Sequence, residues 1–258
     1  MNMLEPYGMA IILPAIFLAG LVDSMAGGGG LISIPAYLAA GLPPHFALGN
    51  NKFSSANGTI FTTIRYFRNN LIDTKVAFFS ALFALIGSFL GTKTVLYLAP
   101  DFLNILLIIA LPVIATILIM DKKLGKVNNS YTVSLKKKLI TAVIAGLGIG
   151  FYDGFFGPGT GAFLILIYTS VLSYDFVVAN ANAKVVNLAS NLAAVVTFID
   201  SGKVFYEIAI PAAICGILGN LTGSYLVIKK GNNFIKPVFI MVLILLLIKV
   251  VWDQFAMS

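Results

Sequence analysis

Two lysines, two aspartates and two glycine runs carry whatever chemistry this sequence can do. Lys52 stands in Gly49-Asn50-Asn51-Lys52-Phe53-Ser54-Ser55, and Lys184 in Asn180-Ala181-Asn182-Ala183-Lys184-Val185-Val186-Asn187. Each lies roughly 8–10 residues inside an apolar segment, too deep for easy snorkelling to the headgroups. An ammonium at such depth costs on the order of 3 kcal/mol or more unless it faces a partner or a cavity. Lys52, Ser55 and Thr59 share one helical face, and Lys184, Asn187 and Asn191 form the same face in a second stretch, with Asn180 one turn back. Cations flanked by amides and hydroxyls offer what the oxygens of a small anion require. The competing reading is structural, a Lys52 ion pair with one of the deep aspartates, and the two readings are compatible.

The glycine runs are Gly27-Gly28-Gly29-Gly30, after Asp23, and Gly157-Pro158-Gly159-Thr160-Gly161, after Asp153. A helix should break there and restart at Leu31 and Ala162, since each Gly costs about 1 kcal/mol relative to Ala in a helix. A restarted helix presents unpaired N–H groups and partial positive charge, which suits an anion. Glycine also permits close helix crossing, the alternative use of such runs. The predicted substrate-binding set is Gly28, Gly29, Gly30, Asn50, Asn51, Lys52, Ser55, Gly159, Thr160, Gly161, Asn182, Lys184, Asn187 and Asn191. Asp23 and Asp153, the acids deep in spans, either carry a coupling proton or tie down N–H groups of the glycine runs.

Other chemistries are poorly supplied. The chain holds one Cys, Cys215, and one His, His45. That removes disulfides, His- or Cys-cluster metal sites and a Ser-His relay built on a second His. Cys215 reads as a small core residue and His45, beside Pro43-Pro44, as interfacial. Neither a metal nor a cofactor is expected.

These residues must be positioned by membrane helices. Hydrophobic residues make up 59% of the chain and charged residues 10%, which excludes a soluble domain. Its length allows about eight crossings. The expected class is an all-α polytopic membrane protein of about eight transmembrane helices, built from a duplicated four-span repeat. Each repeat carries a glycine-broken helix and a short half-helix. Spans are expected at 5–26, 44–67, 74–98, 102–120, 135–156, 175–199, 204–228 and 234–252, with short segments at 31–41 and 162–172. Residues 1–120 and 135–258 form the two repeats, joined by a basic linker at 121–134. The opening segment has no cleavable-signal character and reads as a first span. A net charge of +7 could suggest nucleic acid, but six of the seventeen basic residues fall at Lys122, Lys123, Lys126, Lys136, Lys137 and Lys138. Attraction to lipid headgroups accounts for that cluster, and no nucleic-acid partner is expected.

The halves match at a nearly fixed offset. Asp23 pairs with Asp153, Tyr37 with Tyr168, Lys52 with Lys184, Gly87 with Gly219 and Gly91 with Gly223, at 130 to 132 residues. With the basic linker inside, span-by-span counting places both termini in the cytoplasm and relates the repeats in parallel. Lys229-Lys230 then violates the charge rule. Each short segment is half a bilayer long, which fits either a completed crossing or a re-entrant dip.

The stretches Asp23 to Gly30, Pro35, Gly41-Leu42-Pro43-Pro44-His45 and Gly49-Asn50-Asn51-Lys52-Phe53 resemble the sulfite exporter TauE/SafE family of membrane transporters. Asp153 to Gly161 and Asn182-Ala183-Lys184 resemble that family's second signature. The resemblance covers essentially the whole chain. It implies a multi-spanning plasma-membrane protein that moves a small sulfur-containing anion, sulfite or an organosulfonate. Together these readings predict a secondary transporter, exporting, with its anion held near mid-membrane by two helix N-termini and two lysines. A passive anion channel is the alternative; an intramembrane enzyme would need a nucleophile–base pair or metal cluster that the sequence does not offer.

Overall fold

Lipid offers the backbone no hydrogen bonds, so apolar segments must become helices. The computed structural model describes residues 8–99 and 127–231, together with Pro237, and no strand occurs among them. The helices are α1 (Gly8–Ala26), α2 (Gly30–Ala39), α3 (Pro44–Arg68), α4 (Thr74–Leu96), α5 (Leu135–Phe155), α6 (Thr160–Val171), α7 (Phe176–Asp200) and α8 (Tyr206–Lys230), with a 3-10 turn at Ser130–Thr132. Five of them, α1, α4, α5, α7 and α8, are long and apolar enough to cross a membrane. α3 has 25 residues but is diluted by Lys52 and three asparagines. The expected span 102–120, the span 234–252 except Pro237, and the start of the linker lie outside the described residues.

Helix limits follow local chemistry. Pro44 opens α3, while Asp73 and Asp175 accept from the Val76 and Val178 amides and so cap α4 and α7. The breaks fall where expected, with restarts one or two residues early, at Gly30 and Thr160. Gly27, Gly157 and Gly159 take φ of 73°, 94° and 80°, values that a side chain would strain.

Both short helices turn back along the helix before them. Gly29 packs on Asp23 and Ala19 of α1, and Tyr37, Ala40 and Leu42 share an apolar cluster with Ile12 near its start. Likewise Tyr168 of α6 reaches Ser80, the residue against which Gly146 of α5 packs. Each is thus a re-entrant arm.

This fold-back reverses an expectation. Because α2 returns the chain toward the start of α1, α3 runs with α1 rather than against it. Successive contacts show the directions: Phe17 and Leu21 of α1 meet Gly219 and Gly223 of α8, and Ser54, Thr62 and Arg65 of α3 meet Gly216, Asn220 and Ser224 of the same helix. The helices that carry the two lysines, α3 and α7, are antiparallel, since Lys52, Thr63 and Tyr66 meet Asn191, Lys184 and Asn180 in turn. A parallel relation between the halves is therefore incorrect. Charge counting missed this because a short arm that returns was counted as part of one crossing.

Two faces result. Asp73, at the end of the α3–α4 turn, accepts from Tyr174 at 2.7 Å and Lys138 at 3.4 Å, and the Asn129 amide donates to Ser173. Burial alone would raise the Asp73 carboxyl, but donors from Tyr174, Val76 and Lys138 outweigh it and hold the group below its usual range. That face collects Arg65, Arg68, Lys75, Lys136, Lys137 and Lys138, and α8, running with α3, brings Lys229 and Lys230 to it. At the opposite face the Lys203 carbonyl meets Gly49, the Phe205 amide donates to Asn50, and His45 bonds the Val95 carbonyl near the end of α4. Ile12 and Met9 cluster with Ile208 and Phe205 there. The described residues thus begin, at Gly8, on the face opposite Lys136–Lys138, and Lys229-Lys230 joins the other basic residues.

Glycines let these helices cross backbone to backbone, as small residues do in lipid. Gly87 and Gly91 of α4 lie against Leu147 and Phe151 of α5, and Gly150 of α5 lies against Ala84. Gly219 and Gly223 of α8 lie on α1 in the same manner. A methyl group at Gly148, by contrast, would meet nothing within 4 Å. In thermal unfolding of the purified protein, Gly148→Ala should stabilise by about 0.5–1 kcal/mol, whereas Gly91→Ala should destabilise by about 1–3 kcal/mol through overpacking.

Candidate functional site

α1 and α5 deliver Asp23 and Asp153 to the breaks, while α3 and α7 cross between them carrying Lys52 and Lys184. The ion pairs are crossed between the halves. Lys52 Nζ lies 2.8 Å from Asp153 Oδ1, and Lys184 Nζ lies 2.8 Å from Asp23 Oδ2. Both lysines are buried, with side chains 2% and 0% exposed. At that depth an ammonium is expensive to keep without its carboxylate.

The glycine breaks touch. A methyl group on Gly27 would overlap the Gly161 backbone, and one on Gly161 would sit 2.5 Å from Gly27 Cα. Beside this contact lies a cavity of about 20 Å3, lined by Asp23, Gly27, Gly30, Asn51, Lys52, Ser55, Asp153, Gly157, Thr160, Gly161, Asn187 and Asn191. On this measure a water needs about 10–15 Å3, so the space suits about one water and a three-oxygen anion would have to widen it. Its walls are polar and specific. Lys52 Nζ also donates to Asn191 Oδ1 at 3.1 Å, and Ser33 donates to Asn51 Oδ1 at 2.5 Å. Asn187 Oδ1 is buried with no hydrogen-bond partner among the described residues. A side-chain amide offers an acceptor at one end and two donors at the other, so by turning over this group can meet either a hydroxyl or an anionic oxygen.

Most of the sequence-predicted residues converge. Gly30, Asn51, Lys52, Ser55, Thr160, Gly161, Asn187 and Asn191 line the cavity with both aspartates, and Lys184 reaches it through Asp23. Gly28 and Gly159 are not in its wall, and Gly29 lines a separate cavity of about 10 Å3 on the other side of Asp23. Asn50 and Asn182 do a different job. Their carbonyl oxygens accept from the Phe205 and Asp73 backbone amides, at 3.2 and 3.1 Å, and so hold the starts of α8 and α4.

The helix termini are also less bare than the sequence suggests. The Leu31, Ile32 and Ser33 amides donate to the Gly28 and Gly29 carbonyls, and the Thr160 amide to that of Gly157. Gly27 and Gly157 line the cavity without having been singled out; their signal was membership of the same glycine runs. Tyr66, which donates to the Ser24 carbonyl at 2.7 Å, carried no signal, because one Tyr in a helix looks ordinary; Asn180, which spacing puts one turn back from Lys184, donates to the same carbonyl at 2.8 Å. Among the described residues no group of three or more His, Cys, Asp or Glu could hold a metal.

Comparison with known proteins points to membrane transporters. The profile of the family described as sulfite exporter TauE/SafE matches residues 12–250. The chain is 34% identical over 252 residues to the probable membrane transporter protein YfcA of Escherichia coli K12, covering 98% of this chain and 93% of that one. A probable membrane transporter protein of Haemophilus influenzae is 32% identical over 246 residues, with 95% of both chains covered. The Bacillus subtilis probable membrane transporter protein YdhB is 25% identical over 235 residues, covering 88% of this chain and 92% of the other. No solved structure matches the chain significantly. This multi-pass membrane protein belongs to the sulfite exporter TauE/SafE family of membrane transporters.

Proposed function

We propose that the chain is a secondary transporter that carries a small oxyanion, sulfite or an organosulfonate, out of the cell across a bacterial-type inner membrane, without catalysing a reaction. The observation that carries this reading is the pair of crossed Lys–Asp bridges flanking one polar cavity at the meeting point of two broken helices. In the reading, an arriving anion competes with the aspartates for Lys52 and Lys184, while Asn51, Ser55, Thr160, Asn187 and Asn191 donate to its oxygens. The contact of Gly27 with Gly161 narrows the space to about 20 Å3, which favours a carrier that must rearrange over a standing pore.

Residues 1–120 and 135–258 are read as copies of one unit, inverted in the membrane, as in other transporters with discontinuous helices. Matched contacts support this: α1 with α8 and α5 with α4 pack through equivalent glycines, and Asn50 and Asn182 hold equivalent helix starts. The positive-inside rule then assigns the face of Lys136–Lys138 to the cytoplasm.

Two measurements test these readings. Sulfite or a sulfonate should raise the unfolding temperature of the purified parent, and Lys52→Met and Lys184→Met should each abolish that rise. Removing one partner of a buried pair costs about 3–5 kcal/mol. The doubles Lys52→Met/Asp153→Asn and Lys184→Met/Asp23→Asn therefore separate lost binding from lost folding. Undiminished anion stabilisation in both doubles would place the site elsewhere. For topology, Lys203→Cys and Lys229→Cys in a Cys215→Ala background are exposed to a membrane-impermeant maleimide on intact cells. Lys203→Cys should react and Lys229→Cys should not; the reverse pattern would overturn the assignment of the Lys136–Lys138 face to the cytoplasm.

A further inference from the structure

The two ion pairs are chemically unequal. Asp153 is the better supplied: Lys52 approaches Oδ1 at 2.8 Å, Thr160 Oγ1 lies 2.8 Å from the same oxygen and 2.7 Å from the Gly157 carbonyl, and Ser190 Oγ is within hydrogen-bond reach of Oδ2. Asp23 has Lys184 on Oδ2 and no other hydrogen-bond partner among the described residues. The cause is in the sequence. At the repeat offsets of 131 and 132 residues, Thr160 and Ser190 correspond to Gly29 and Gly58, which have no hydroxyl to give. Exposure follows the same division, with the Asp23 side chain 16% accessible and that of Asp153 6%.

The lining of the cavities is uneven as well. Asp23 and Ser55 are common to the walls of the two cavities. Beyond them the smaller cavity continues past Ser33, Ser54 and Asn220 between α1, α3 and α8. The positions matching Ser33 and Ser54 in the other half are Leu164 and Val186, both buried. Hydroxyls and an amide therefore line an approach to Asp23 from the smaller cavity, whereas Asp153 borders the cavity that the two carboxylates share and not the smaller one.

We infer that Asp23 is the carboxylate that gains and loses a proton during transport, freeing Lys184 for the anion, and that Asp153, held by more donors, stays ionised throughout. This rests on the transporter reading above and assigns the coupling step within it. Protonation takes H+ from water in the smaller cavity onto Asp23, leaving Lys184 as an ammonium without its counter-ion. An anion then replaces the lost charge, and departure of the proton restores the bridge. The charged and titratable groups around Asp23 fit this asymmetry. Lys184 comes from α7, Lys52, Arg65 and Tyr66 from α3, and Asp153 from α5. Tyr37 on α2, bonded to Ser54, and Cys215 on α8, next to Gly216, lie toward the smaller cavity. α6 contributes only the neutral Thr160.

Infrared difference spectra of the purified protein in lipid, recorded across a pH titration without any anion substrate, test this directly. The parent should develop the C=O stretch of one buried protonated carboxyl as pH falls; Asp23→Asn should lose it and Asp153→Asn should keep it. Should Asp153→Asn fail to fold, Thr160→Val/Ser190→Ala takes its place: stripping Asp153 of both hydroxyl donors should add a second titrating band. The inference is overturned if the band survives Asp23→Asn, vanishes in folded Asp153→Asn, is absent from the parent, or stays single in Thr160→Val/Ser190→Ala. Because no anion is present, failure to bind oxyanions leaves this result interpretable, and absence of the band leaves the anion site standing.

Discussion

Everything in this molecule is arranged around two ammonium groups that should not survive where they are. Lys52 and Lys184 lie with almost no exposure among packed helices, where an unpaired charge is expensive enough to be neutralised or expelled. Each is kept by a carboxylate from the other half of the chain. Crossing the pairs in this way ties the halves together through their most costly residues. Any event that weakens one bridge therefore acts on the interface between the halves and on the glycine break beside it. That coupling is what a carrier needs: charge at the centre must be linked to backbone that can move.

The breaks supply the movable backbone. Gly27 and Gly161 meet so closely that neither tolerates a side chain, and Tyr152 secures one loop by donating to the Pro158 carbonyl at 2.5 Å. Irregular backbone at membrane depth is tolerated only when buried in protein or lining a cavity, and here it does both. Around it, α4 on α5 and α8 on α1 are rigid, glycine-lined crossings. The structure thus divides into close-packed, apolar outer pairs and a buried polar centre.

Much of this was legible in the sequence. The helix limits, the two breaks, the depth of both lysines and the family resemblance all follow from hydropathy, glycine runs and spacing. Direction was not. Hydropathy counts passes but cannot say whether an arm such as 31–41 continues or turns back, and that choice decides whether the halves run in parallel or inverted. Lys229-Lys230 was the clue, a local violation of the charge rule that vanishes once α2 and α6 are seen to return. Asn50 and Asn182 illustrate a second limit: a polar residue near a buried lysine looks like a ligand-binding group, yet these two serve backbone amides of distant helix starts. Nor could spacing foresee which aspartate pairs with which lysine, because crossing between halves is a property of assembly rather than of either segment.

The central claim is that an oxyanion sits between the two lysines at the meeting of the breaks. Selenite, a heavier analogue of sulfite, can be located by its anomalous scattering in crystals grown with it. A selenium peak between Lys52 and Lys184, within hydrogen-bonding reach of Asn187 or Asn191, is the result this account predicts. A well-ordered peak elsewhere, with both Lys–Asp bridges intact, would contradict it.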